Sequence, residues 1–193
     1  MPSDKAELSA RLIATQRGDS VLGLFFQSVL DVVQQRGGEG AVAKVRTDGL
    51  TVDYSALRMY PVQDFLRLLF AAADVLEWVF GSPDAVFRVL GHTGMTRYDS
   101  GPGRFVVGVL SRGEPHRLLG ATQLGYSGAV TYGRREYRAT GLKSGVLVCE
   151  GDMLPPAFHE GLLAGAIGLL SFKPHVKARP LAVDRVEYDI SWD

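Results

Sequence analysis

Phe172-Lys173-Pro174-His175-Val176-Lys177-Ala178-Arg179 and, shortly after it, Arg185-Val186-Glu187-Tyr188-Asp189-Ile190-Ser191-Trp192 decide the fold class of this chain. In the first stretch Phe172, Pro174, Val176 and Ala178 alternate with Lys173, His175, Lys177 and Arg179; in the second, Val186, Tyr188, Ile190 and Trp192 alternate with Arg185, Glu187, Asp189 and Ser191. A period of two sends successive side chains to opposite faces, so both stretches read as strands with one apolar and one wet face. The first wet face is basic and the second largely acidic. Antiparallel pairing about a turn near Pro180 to Asp184 therefore sets opposite charges across from each other, worth about 0.2 to 1 kcal/mol per good pair.

Working back along the chain, two further strands are expected at about Val130 to Ala139 and Gly145 to Glu150, followed by a helix from Pro155 to Leu170. That helix carries Gly161, Ala164, Gly165 and Gly168. Glycine costs up to about 1 kcal/mol in helix propensity relative to alanine, so a stripe of small residues points to close approach by a sheet, another helix or a ligand. Helix-on-sheet packing is the plain reading, and a cleft wall is the functional one.

The amino-terminal half has helical periodicity instead. Asp19 and Ser20 can cap a helix from about Val21 to Gln35, whose Leu22, Phe25, Phe26, Val29, Leu30 and Val33 form one apolar stripe ending at Arg36-Gly37-Gly38. Ala41 to Arg46 reads as a short helix stopped at Asp48-Gly49, and Tyr60-Pro61 opens a strongly apolar helix reaching Phe80. Ser82-Pro83 starts another, expected to end near Gly91; Ser100-Gly101-Pro102-Gly103 is a loop, and Phe105 to Leu110 leans to helix. The expected architecture is α+β: a polar lead-in over residues 1–20, then one domain over 21–193 with a helical half and an antiparallel sheet of at least four strands with a crossing helix.

Composition narrows the function classes. Lys plus Arg and Asp plus Glu each total 21, so no net positive field draws in nucleic acid. Cys149 is the only cysteine, which excludes an intrachain disulfide and a multi-cysteine zinc site and favours a reducing, cytoplasmic setting. The first residues alternate charged and apolar character unlike an export signal, and the apolar run Gly161 to Leu170 is about half the ~20 residues that cross a bilayer.

Each candidate for chemistry is incomplete. His159-Glu160 opens like a zinc-protease helix, but Leu163 stands where the second histidine is needed, leaving a solvated helix start as the plain reading. His92, His116 and His175 are scattered and read as surface histidines. Ser127 in Gly125-Tyr126-Ser127-Gly128 approaches a nucleophile elbow that Ala129 breaks, so a turn leading into a strand is favoured. Gly38-Glu39-Gly40-Ala41-Val42-Ala43 has dinucleotide-loop spacing but follows a helix where a strand is required. Cys149 sits in an apolar strand and reads as core. The tyrosines and arginines of Thr131 to Arg138, Arg134 and Tyr137 foremost, are candidates for an anion- or partner-binding face, set against a solvated strand.

Tyr60-Pro61 before an apolar helix, Arg88-Val89-Leu90-Gly91, Arg117-Leu118-Leu119, Pro155-Pro156 with Phe158-His159-Glu160-Gly161, and the terminal Tyr188-Asp189-Ile190-Ser191-Trp192 together resemble the myxobacterial paralogous domain family of unknown function. The order of elements is also similar to the fold of haem-NO-binding sensors, 4-vinyl-reductase-type ligand domains and transport-particle subunits. Those haem sensors hold propionates with a Tyr-x-Ser-x-Arg motif; here Tyr98-Asp99-Ser100-Gly101 is followed by Pro102, so haem is not expected. The function expected is a non-catalytic sensor or adaptor in signalling. It would bind a protein partner or a small apolar ligand through Gly161, Gly165, Gly168, Arg134 and Tyr137, with no cofactor, no metal and no nucleic acid. A hydrolase using Ser127 or His159 and a structural homo-oligomer such as a homodimer are the alternatives.

Overall fold

The computed structural model describes residues 5–46, 53–100, 103 and 106–193. The proposed stop at Asp48-Gly49, Gly101, Pro102 and Phe105 lie outside the described residues. Among the described residues, no helix is long and apolar enough to cross a membrane.

The helical half is built around α3 (Val62–Phe80), whose Phe65, Leu66, Leu68, Leu69, Ala72 and Leu76 are fully buried. Pro61 precedes it and Gly81, at φ 89°, closes it with a left-handed cap whose N–H reaches the Glu77 carbonyl, as the sequence punctuation requires. Before it run α1 (Lys5–Ala14), β1 (Ser20–Leu22), α2 (Gly23–Arg46) and β2 (Met59–Pro61), with β1 and β2 paired antiparallel. Gly38, at φ 76°, breaks α2 into the two helical pieces that its glycines foretell. The stretch expected as a polar lead-in is in part structural. Arg11 of α1 is buried and donates from Nη1 to the carbonyls of Met153 (3.1 Å), Leu154 (3.1 Å) and Val183 (3.2 Å).

Helix α4 (Pro83–Asp99) starts as expected, with the Ser82 hydroxyl accepting from the Ala85 N–H at 3.2 Å, but it runs through Gly91 instead of stopping there. A π-helical turn (Val106–Leu110) and two short helices, α5 (Pro115–Gly120) and α6 (Thr122–Ser127), lead to the sheet. The strand expected from Val130 begins only at Arg134, and Val130 makes an isolated bridge to Val21 instead.

Strands β3 (Arg134–Gly141), β4 (Ser144–Glu150), β5 (Pro174–Ala182) and β6 (Arg185–Trp192) form one antiparallel sheet in the order β3-β4-β6-β5. The alternating stretches pair as their charges require: Lys177 stands opposite Asp189, and Arg179 is ion-paired with the opposing Glu187. Helix α7 (Pro156–Gly168) crosses between the sheet and α4. Its Leu163 and Ile167 join Leu147, Tyr188 and Ile190 of the sheet in one apolar cluster.

The glycine stripe of α7 faces elsewhere, which corrects the helix-on-sheet reading. A Cβ on Gly161 would lie 1.9 Å from the Arg88 carbonyl oxygen, and one on Gly91 1.9 Å from that of Phe158. Helices α4 and α7 thus touch through backbone, and Gly91 continues a helix because that contact needs it. Gly165 packs near His92 and Met95, while a Cβ at Gly168 meets nothing within 4 Å.

These neighbours separate the glycines experimentally. Gly161→Ala is expected to lower stability by about 1–3 kcal/mol, because a methyl group there overpacks against backbone. Gly168→Ala should be neutral or stabilising by up to about 1 kcal/mol, because only helix propensity changes. Urea unfolding of the two variants checks this; equal effects would refute the close helix contact.

Candidate functional site

An apolar cavity with a free volume of about 80 Å³ lies where the helical half meets α7 and the short helices. Phe25 of α2, Phe65 of α3, Tyr98 of α4, Leu118 of α5, and Phe158 and Leu162 of α7 supply much of its wall. His159 and Tyr126 also line it, and both belong to a buried polar ring behind that wall.

The ring is assembled from four places in the fold. Arg135 is on the inner face of β3, directly opposite Cys149 of β4, and Asp152 follows β4 in a loop. That loop is held by the Asp152 N–H on the Asp184 carbonyl (3.0 Å), while the carboxylate accepts from the Leu154 N–H (3.2 Å). His159 comes from the first turn of α7 and Tyr126 from α6. Asp152 Oδ2 accepts a hydrogen bond from Arg135 Nη2 and stands 3.0 Å from His159 Nε2, an ion-pair distance whose angle falls short of a well-formed hydrogen bond. His159 Nδ1 is 2.8 Å from the Tyr126 hydroxyl, and the Arg135 guanidinium covers the Tyr126 ring at 4.3 Å.

Donor and acceptor logic orders this ring. Burial on its own would raise the Asp152 carboxyl, but the neighbouring His159 ring and Arg135 guanidinium outweigh it and hold the group well below its ordinary value, as a carboxylate. A carboxylate only accepts, so Nε2 of His159 carries its proton toward Asp152. Nδ1 accepts from the Tyr126 hydroxyl when the imidazole is neutral and donates to it when the ring is charged; either form keeps the bond. Burial holds the Tyr126 phenol well above its ordinary value, and therefore protonated. Burial likewise pushes the Cys149 thiol up to about 12, so it is a thiol and not a nucleophile at neutral pH.

The residues singled out from sequence are dispersed. Gly161 and Gly165 are covered by α4, Gly168 is open, and the cavity begins on the neighbouring face of α7 at Phe158, Leu162 and Ala166. Arg134 is exposed and pairs with Glu136 at 3.3 Å, whereas Tyr137 points to the opposite face, its hydroxyl 2.7 Å from His116 Nδ1. Ser127 is exposed at the end of α6, in a helix where a turn was expected, and donates to the Leu124 carbonyl at 2.7 Å. His159 is buried, which corrects its reading as a solvated helix start, and no hydrogen bond joins it to Ser127. Among the described residues, no group of three or more His, Cys, Asp or Glu is placed to hold a metal. Sequence reading missed Asp152 and Tyr126, and took Arg135 only as one of the arginines of an anion-binding or solvated strand face. One signal was present: Arg135 shares the parity of Tyr137, the inward face of its strand, and a buried guanidinium demands a carboxylate.

The chain belongs to the family described as a protein of unknown function (DUF2378), which it matches over residues 14–193. No curated protein matches it. Among solved structures it is similar to an Fe(II) unliganded H-NOX protein from K. algicida, with a TM-score of 0.69 and 15% identity over 89% of this chain and 96% of that one. It is similar also to an H-NOX protein from S. oneidensis in the Fe(II)NO state, with a TM-score of 0.68 and 14% identity over 89% and 99%. A structure titled for haem redox potential and porphyrin distortion matches with a TM-score of 0.57 and 14% identity over 88% and 99%. These likenesses show the fold.

Removing one charge from the ring should be costly. Asp152→Asn is expected to destabilise by about 3–5 kcal/mol, because it strands the buried Arg135 guanidinium. The folded carboxyl titrates below its unfolded value of about 3.9, so its stabilisation is present above about pH 4 and drains away as the pH falls further. Urea midpoints between about pH 2 and about pH 6, a range that takes in the start of that decline, should converge for wild type and Asp152→Asn toward the acid end. Parallel curves would show that Asp152 is not the ionised partner.

Proposed function

We propose that this chain is a non-catalytic ligand-binding domain of sensor or adaptor type, which takes up a small apolar molecule in the cavity bounded by Phe25, Phe65, Phe158 and Leu162. One observation carries the reading: the wall is apolar, and the hydroxyls of its Tyr98, Thr122 and Tyr126 bond within the protein, to the Gly125 carbonyl, the Leu119 carbonyl and His159 Nδ1. Such a cavity favours molecules that need no hydrogen bonds. Its free volume of about 80 Å³ is roughly half that of an engineered apolar cavity of ~150 Å³ that takes benzene or xenon.

The similarity to H-NOX structures supports ligand binding by this fold, but the residues here do not fit haem. Both ring nitrogens of His159 are turned to Tyr126 and Asp152, and those of His116 to Tyr137 and the Leu142 carbonyl. His92 and His175 are exposed. Arg135, the buried cation that an acidic ligand group would seek, is already paired with Asp152.

Xenon is the probe of choice. Amide NMR should show saturable shifts confined to residues around the cavity, and Ala166→Leu, which fills the space from α7, should abolish them. Haemin should give no one-to-one Soret band. Absence of xenon-induced shifts in the wild type would overturn the apolar-ligand reading, and a stoichiometric Soret band would restore haem.

A further inference from the structure

Part of the cavity wall stands on long helices: α2, broken at Gly38, together with α3, α4 and α7. One side is different. There the wall is α5 and α6, helices of six residues each, which contribute Leu118, Leu119, Thr122, Gly125 and Tyr126 to the cavity. Helices this short do not sustain themselves and depend on their docking. The segment follows a backbone corner in the left-handed region, Arg112 at φ 47° and Gly113 at φ 80°, next to the π-helical turn. At its far end the chain is fastened again beyond Gly128, where the Leu22 N–H reaches the Ala129 carbonyl (2.8 Å) and the Thr131 N–H reaches the Ser20 carbonyl (3.1 Å).

Between these anchors the segment is held by packing and by a small set of hydrogen bonds: Leu118, Leu119 and Tyr126 are buried, Leu119 within the sheet's apolar cluster, and the His116 ring centroid lies 4.7 Å from that of Trp192. His116 meets the Tyr137 hydroxyl and the Leu142 carbonyl, the Gln123 side chain accepts from the Arg135 N–H at 2.7 Å, and the Tyr98 hydroxyl reaches the Gly125 carbonyl at 3.3 Å. The buried tie is the Tyr126 hydroxyl on His159 Nδ1, with the Arg135 guanidinium stacked on the same ring. Opening the segment exposes the cavity without parting α4 from α7, whose glycine contact stays intact. Parting those two helices would tear the core apart.

We propose that residues 115–127 form a lid over the apolar cavity, that it swings between the Arg112-Gly113 corner and Gly128, and that the Tyr126–His159 hydrogen bond is its bolt. A lid widens the way into the apolar space and makes uptake a local event. The bolt is an equilibrium hydrogen bond of ordinary net strength, so its loss should raise the open population about 3- to 10-fold.

The test uses the full chain and its Tyr126→Phe variant, which keeps the ring and removes the bolt. Amide hydrogen exchange should accelerate about 3- to 10-fold across residues 115–127, with α3 and α7 unchanged. Uniform acceleration, or none in the segment, would overturn the lid. The second readout rests on the ligand reading above: in xenon exchange by NMR, uptake and release should both speed up in the variant. Faster release alone would mean a damaged cavity and overturn the gate. If the wild type takes up no xenon, the ligand reading fails, while hydrogen exchange still decides whether the segment opens. Gln123→Ala, which cuts a tie away from the cavity wall, should accelerate exchange in the same residues; it serves if Tyr126→Phe does not fold, and no effect there would count against the lid.

Discussion

Helices α4 and α7 come together so closely that two positions admit only hydrogen in place of a side chain, Gly91 against the Phe158 carbonyl and Gly161 against that of Arg88. Much else in the structure follows from this contact. It joins the helical half to the helix that carries the sheet, and the Arg88–Glu160 ion pair at 2.7 Å lies beside it. The second carboxylate oxygen of Glu160 accepts from the Ala178 N–H at 2.8 Å, so one side chain ties α4, α7 and the edge strand β5. With α7 fixed in this way, Phe158 and Leu162 face the cavity, Ile167 faces the sheet, and Leu163 touches both.

The buried ring of Tyr126, His159, Asp152 and Arg135 depends on the same placement, because His159 is one residue from Phe158. A buried ion pair gives little net stability when both partners are present and is expensive to break, so its usual consequence is specificity of arrangement. Here it sets the position of three segments distant in sequence: α6, the loop after β4 and the start of α7. Arg11 extends that order to α1, since its guanidinium holds the carbonyls of the same loop at Met153 and Leu154. Leu154 in turn lines the cavity.

The fold is that of H-NOX domains, and the interior departs from what a haem would need. The histidine nearest the cavity turns one nitrogen to the Tyr126 hydroxyl and the other to the Asp152 carboxylate, and the buried arginine has an internal carboxylate. The buried charges are paired within the chain, and the cavity wall beside them is apolar. A shared architecture is therefore compatible with a different class of guest, because the guest is chosen by side chains and not by the path of the backbone.

Patterns of local period were sufficient to read much of this protein. Alternation in Phe172 to Arg179 and Arg185 to Trp192 determined two strands and their antiparallel pairing, since period and charge both act between neighbours in the sheet. The apolar stripe of Val62 to Phe80, the Ser82 cap and the glycine break in α2 were equally legible, because capping and φ preference are properties of a few adjacent residues. Gly91 was misread as a stop and the α7 stripe as a surface for the sheet, since local propensity cannot register a partner helix that arrives from some seventy residues away. The candidate site was hidden for the same reason. Arg135, Asp152, His159 and Tyr126 are ordinary residues in four separate segments, and only tertiary packing, by excluding water from all four at once, forces them to satisfy one another and leaves an apolar space beside them.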